Sequence, residues 1–129
     1  MPLAIEITTF FNEHWPRNEQ GKIHMQPAQV LETWWDATNP MPEVAGLHAV
    51  LPRLIALPVD DEQKATWRDM LAALPPIPTR EVQGQTILAP AERFAVRKNM
   101  ENGEMYATFP YRLYTLMQDE KELHIARNT

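Results

Sequence analysis

The chain of 129 residues contains no cysteine. That excludes a disulfide framework and a thiolate zinc site, and it leaves the redox compartment open. Glycine is scarce as well, with four residues, and no Gly/Ser-rich linker divides the chain. No apolar run approaches the roughly 20 residues that cross a bilayer. The N-terminal stretch MPLAIEITTFFNEHW has no basic segment followed by a continuous apolar one, so neither a membrane span nor a signal peptide is expected. A basic stripe is also missing. The formal charge is −5 and the 12 Lys and Arg are scattered, which argues against nucleic acid as a partner. His14, His24, His48 and His124 fall at no metal-binding spacing, so neither a metal nor another cofactor is expected.

Proline is abundant, with twelve residues. Each fixes φ and removes a backbone donor, so short helices joined by stiff extended segments are expected. Length and the balance of apolar and charged residues are those of one globular unit, residues 1–129.

Leu3, Ile7, Phe10 and Phe11 recur at helical spacing and predict a helix over 3–14. A turn closed by Gly21 follows, with a short strand at KIHM. Pro27 then suits the first turn of a short helix over 28–36, with Val30, Leu31 and Trp34 inward. Val44, Leu47, Val50, Leu51, Leu54 and Ile55 trace an apolar face and predict a helix over 42–56, kinked or broken at Pro52. Asp60 and Gln63 have capping-box spacing, and Trp67, Met70, Leu71 and Leu74 predict a helix over 61–73. The short join makes these two helices an antiparallel αα-hairpin. REVQGQTIL reads as a β-hairpin about Gln-Gly. Short helical pieces are expected at 104–108 and 111–117 around Pro110, and DEKELHIAR closes the chain as a helix.

The candidate chemistry centres on VLETWWDATNP, residues 30–40. In a helix over 28–36, Glu32 and Asp36 stand one turn apart, beside Trp35 and the Asn39-Pro40 turn. Paired carboxylates divide acid and base work when their surroundings separate their pKa values, and tryptophan desolvates a neighbouring carboxyl. Carboxylates on adjacent turns are too parallel to flank a bond, so one of the two is the better candidate. The competing reading is a solvated helix face with Trp34 and Trp35 as core or rim. Adjacent tryptophans cannot both face one narrow core, so one of them meets a groove or a partner. A second constellation is MYATFPYRLY, where Tyr106, Phe109, Tyr111, Arg112 and Tyr114 offer aromatic faces with hydroxyl tips suited to sugar rings. Arg112 could clamp a substrate or pair with Glu43; a plain core stripe is the alternative.

The order of PAQVLETWWDATNPMPEVAGLHAVLPRLIALP, LPPIPTREVQGQTILAPAE and ENGEMYATFPYRLY, within residues 10–115, resembles the C-terminal half of bacterial six-hairpin glycosidases related to glycoside hydrolase family 95, which includes α-L-fucosidases. The resemblance implies a mainly α fold, part of an (α/α)6 toroid of helical hairpins with one short β-hairpin. It implies Glu32 as general acid, and a sugar site drawing on Trp34, Trp35, Asp36, Asn39, Tyr106, Tyr111 and Arg112. Thr33 stands where those enzymes carry Asn, and TFPYRLY replaces their His-Arg-His-type motif, so fucose specificity does not carry over. Twelve helices of ~12 residues exceed this length. The chain is therefore expected to be a piece of such a catalytic domain, inactive alone, with carbohydrate as partner and with self-association through apolar faces left exposed. Polysaccharide-degrading relatives are commonly exported, which implies a periplasmic or extracellular parent enzyme. A non-catalytic carbohydrate-binding module with Trp34, Trp35 and Tyr111 as a stacking platform, or a helical protein-interaction module, stays open beside this reading.

Overall fold

A computed structural model describes residues 1–97 and 100–129. The first helix, α1, spans Pro2–His14 and ends where Trp15 turns extended ahead of Pro16. The second, α2, spans Met41–Ile55, and the third, α3, spans Asp61–Ala73. The expected N-cap is present: the Asp60 carboxylate accepts the Gln63 N–H at 2.8 Å. α2 runs through Pro52 without a break. His48 Nε2 meets the Pro75 carbonyl at 2.9 Å, so the middle of α2 lies beside the chain just after α3, as in the antiparallel hairpin expected from the short join.

The largest core lies between these helices. Val44, Leu47, Leu51 and Leu54 of α2 meet Trp67, Met70 and Leu74, and Ile23 and Met25 close the layer. Ile23 donates to the Ala73 carbonyl at 2.8 Å, which fixes the segment before the sheet against the end of α3. α1 packs through Ala4, Ile5 and Phe11, with Thr8 buried. Leu3, Ile7 and Phe10, three of the four residues whose spacing predicted this helix, face outward instead. The physical reason is the Trp67 indole N–H, which donates to Thr8 Oγ1 at 2.9 Å and turns the Thr8 side of α1 inward.

Residues 28–36 form no helix. Ala28–Val30 is strand β1 and Trp34–Pro40 is strand β2, paired antiparallel with Val30 opposite Trp34 and Ala28 opposite Ala37. Leu31, at φ +52°, turns the chain, and Thr33 N–H bonds back to the Val30 carbonyl at 3.2 Å. Val30, Thr33, Trp34, Trp35 and Thr38 are β-branched or aromatic, a composition that favours a pleated surface. KIHM contributes one bridge, Arg17 to Ile23, and no strand.

Strands β3 (Thr79–Val82) and β4 (Gln85–Leu88) make the hairpin expected about Gln-Gly. Gln83 and Gly84 both have positive φ, at +52° and +78°, as the tight turns that match strand twist require. Strands β5 (Ala91–Arg93) and β6 (Val96–Arg97) pair along β2. A 3-10 helix at Gly103–Ala107 falls near the first expected helical piece, whereas 111–117 is turn and bend. α4, Glu120–Asn128, is capped by Asp119 and lies against β4, where Thr129 Oγ1 accepts the Leu88 N–H at 2.9 Å.

Among the described residues, four α-helices and six strands in two antiparallel sheets make this a mixed α/β domain. The mainly α, toroid-like architecture expected from the resemblance is thereby overturned. Among the described residues only α2 and α3 form a helical hairpin of the expected kind, and the chain before α2 and after α3 is largely strand and ordered turn.

Candidate functional site

The cleft with the most distinctive chemistry lies between α1, α2 and the turn that follows the 3-10 helix. It encloses about 340 Å³, the lower end of the roughly 300–1,000 Å³ of small-molecule sites. α1 supplies one wall with Ile7, Thr8 and Phe11, and Tyr111 supplies the other. The floor is α2, from Pro42 and Glu43 through Gly46 and Leu47 to Val50.

Glu43 and Gly46 are three residues apart and so share a face of α2. The missing Cβ of Gly46 admits Tyr111: an ideal Cβ there would stand 3.0 Å from the Tyr111 hydroxyl and 3.1 Å from Cζ. Tyr111 follows the cis Phe109–Pro110 bond, and its N–H is held by the Tyr106 carbonyl at 3.3 Å. Its ring sits 6.1 Å from that of Tyr106.

Among the described residues lining the cleft, Glu43 is the only carboxylate. Its Oε2 is covered from solvent and has no hydrogen-bond partner. Burial pushes the carboxyl above the usual carboxylate range, and its own backbone N–H opposes this only in part. The Tyr111 phenol is also raised, by burial first and then by the charges of Glu43 and Tyr106. The cleft thus offers a carboxyl that keeps its proton to higher pH than an exposed one, between aliphatic and aromatic walls. Thr8 adds no free hydroxyl, since Oγ1 contacts the Ala4 carbonyl at 2.9 Å and accepts from Trp67.

This arrangement has a consequence for stability. The folded-state pKa of Glu43 lies above the unfolded one, so between the two the folded chain holds a proton that the unfolded chain has released. Stability therefore falls as pH rises through that window, by at most about 1.4 kcal/mol per pH unit. In Glu43→Gln this slope is absent. Thermal melts of the two proteins should coincide in slope at acid pH and diverge in favour of the variant above the ordinary Glu pKa. Parallel curves throughout would show that Glu43 is not desolvated.

Of the eight residues named from the sequence, only Tyr111 lines the cleft. Glu32 is exposed on the turn between β1 and β2, where its N–H donates to Glu101 at 3.3 Å. Asp36 is exposed on β2 at φ +51°, and because the segment is strand the two carboxylates are not one helical turn apart. The tryptophans divide as their adjacency required. Trp34 is buried against Phe94, with ring centroids 4.8 Å apart, while Trp35 is 46 % exposed. Asn39 is buried at φ +50°, accepting the Met25 N–H at 2.8 Å and donating to the Glu92 carboxylate at 2.6 Å, so both ends of its amide are engaged within the fold. Tyr106 is half-buried behind Tyr111, and Arg112 is exposed.

The residue that sequence reasoning left aside is Glu43 as a site in its own right. A signal was present: a carboxylate in the first turn of an otherwise apolar helix, with glycine three residues on, leaves space beside an acid that the helix carries into the core. Among the described residues no group of three or more His, Asp or Glu is placed to hold a metal ion, and no helix is long and apolar enough to cross a membrane. Comparison with known proteins gives no match to any family model, curated protein or solved structure.

Proposed function

We propose that the chain is the sugar-binding part of a glycoside hydrolase catalytic unit, in which the cleft between α1 and α2 receives one sugar ring and Glu43 is the proton-holding carboxyl. The observation that carries this reading is Glu43 itself, a carboxyl raised by burial that lines a ring-sized cleft. A general acid of this kind protonates a leaving glycosidic oxygen, and it needs the raised pKa that burial supplies. Phe11 and Tyr111 offer faces to the apolar C–H patches of a sugar. The order of segments shared with six-hairpin glycosidases supports the same substrate class, and on geometry the acid's role belongs to Glu43 and not to exposed Glu32.

Glycoside cleavage also needs a second carboxylate, at ~5–5.5 Å for retention or ~6.5–9.5 Å for inversion. Among the described residues the cleft lining contains one carboxylate, so on this reading the chain by itself binds and does not turn over. Calorimetric titration with monosaccharides should show saturable binding that weakens about tenfold or more in Gly46→Leu, whose side chain displaces Tyr111, and in Val50→Trp, which fills the cleft from the other end. Unchanged affinity in both folded variants would remove the cleft from consideration. Aryl glycoside hydrolysis by the isolated chain would contradict the reading that it binds without turnover.

A further inference from the structure

We infer that the Tyr111 hydroxyl is the specificity-determining contact of the cleft and that it bonds to the 2-hydroxyl of the sugar, so that 2-deoxy sugars bind less well. The inference rests on the cleft being a sugar site and deepens that reading. Among the described residues lining the cleft, three side chains carry polar atoms: Thr8, Glu43 and Tyr111. Thr8 Oγ1 is already engaged, donating toward the Ala4 and Ile5 carbonyls and accepting from the Trp67 indole. Glu43 is reserved for the glycosidic oxygen. The Tyr111 hydroxyl differs from both. It has no hydrogen-bond partner among the described residues, yet it is not one of the buried polar atoms covered from solvent. Uncommitted and reachable, it can bond to a ligand without breaking a bond within the fold.

Position decides which sugar hydroxyl it reads. Glu43 and Gly46 share a face of α2, ~4.5 Å apart along the axis. The Tyr111 oxygen stands over Gly46, 3.0 Å from where an ideal Cβ would be, so glycine leaves it close above the floor of the cleft. With the glycosidic oxygen at Glu43, two ring positions lie nearest. One is the ring oxygen, which carries no hydroxyl, and the other is the carbon that bears the 2-hydroxyl. Groups at the far edge of the ring point on along α2 to Leu47 and Val50, whose side chains are apolar. Burial, then the charges of Glu43 and Tyr106, raise the phenol, so at neutral pH it keeps its proton and donates. Offset stacking on the Tyr111 ring brings the edge of a sugar beside the phenol oxygen. This bond discriminates more sharply than the apolar walls do, because a ligand without the hydroxyl leaves the phenol unpaired in the filled cleft.

The test is calorimetric titration of the folded chain at neutral pH with D-glucose, D-galactose, their 2-deoxy forms and 6-deoxy-D-glucose. Each parent sugar that binds should do so about tenfold tighter than its 2-deoxy form, with 6-deoxy-D-glucose within about threefold of D-glucose. Tyr111→Phe keeps the aromatic ring and its 6.1 Å contact with Tyr106. It should weaken the parent sugars about tenfold and bring them level with their 2-deoxy forms, the coupling that a double-mutant cycle isolates. A 2-deoxy sugar bound as tightly as its parent, or a preference that survives in Tyr111→Phe, would overturn the assignment while the sugar site stands. Affinity lost with the 6-hydroxyl in place of the 2-hydroxyl would also overturn it, since the sugar would then lie the other way round. Absence of binding by both parent sugars would overturn the sugar site itself, and this inference with it. The wild-type comparison of sugars decides between these outcomes even if the variant fails to fold.

Discussion

Replacing Trp67 with alanine is expected to lower folding stability by about 3–5 kcal/mol, read as a fall in the urea midpoint with little change in slope. Trp67 is 1 % exposed and sits at the centre of the helical core, among Val44, Leu47, Leu51 and Met70. Alanine loses the burial of an indole and leaves a cavity that two packed helices cannot collapse to fill. It also removes the 2.9 Å bond to Thr8 Oγ1, the buried side-chain tie between α3 and α1. Against a typical total of about 5–15 kcal/mol, this loss is a large share of the folding free energy. Thr8→Val isolates the polar part. It keeps the packing but leaves the indole N–H buried without an acceptor, at about 1–3 kcal/mol. Because α1 forms a wall of the cleft, Thr8→Val should also weaken ligand binding, although Thr8 Oγ1 is already engaged. A Thr8→Val protein as stable as wild type would mean that α1 is held by its apolar contacts alone.

Asn39→Ala is expected to cost about 2–4 kcal/mol, a large effect for one short polar side chain. Asn39 is 1 % exposed and lies at the end of β2, immediately before α2. Its carbonyl accepts the Met25 N–H at 2.8 Å, its amide donates to Glu92 at 2.6 Å, and its own N–H bonds to the Met25 carbonyl at 3.1 Å. Alanine leaves the Met25 N–H buried without a partner and must hold φ at +50°, where Asn is tolerated and a Cβ without polar compensation costs about 1–2 kcal/mol. Glu92 is exposed, so water replaces what it loses. Asn39→Gly separates the two contributions: glycine is at ease at positive φ and should recover about 1 kcal/mol relative to alanine. Equal destabilisation by both substitutions would show that backbone conformation contributes nothing there.

What the sequence made legible was local. α2 and α3 declare themselves through apolar spacing, Asp60 and Gln63 through capping chemistry, and the β3–β4 hairpin through Gln83-Gly84, because each signal lies within the element it specifies. The stretch around Glu32 was misread because its partners are distant. β2 is held by β5 and β6, more than fifty residues on, and a window of ten residues containing Val30, Leu31 and Trp34 fits a helical spacing as well as a hairpin. The same limit hid the site. Ile7 and Phe11, Glu43 and Gly46, and Tyr111 come from three parts of the chain, and only packing brings them to one cleft. Glu43 in isolation reads as a favourable first-turn carboxylate of α2. Burial by α1 and Tyr111 gives it a different character.

The central claim is that the cleft, and not the tryptophan-bearing turn, is where a sugar binds. Amide chemical-shift mapping by NMR during titration with D-glucose tests it most directly. The largest shifts are expected at Gly46, Leu47 and Tyr111, saturating together, with Trp34, Trp35 and Asp36 unmoved. Saturating shifts centred on Trp35 and Glu32, with Gly46 and Tyr111 silent, would contradict the account.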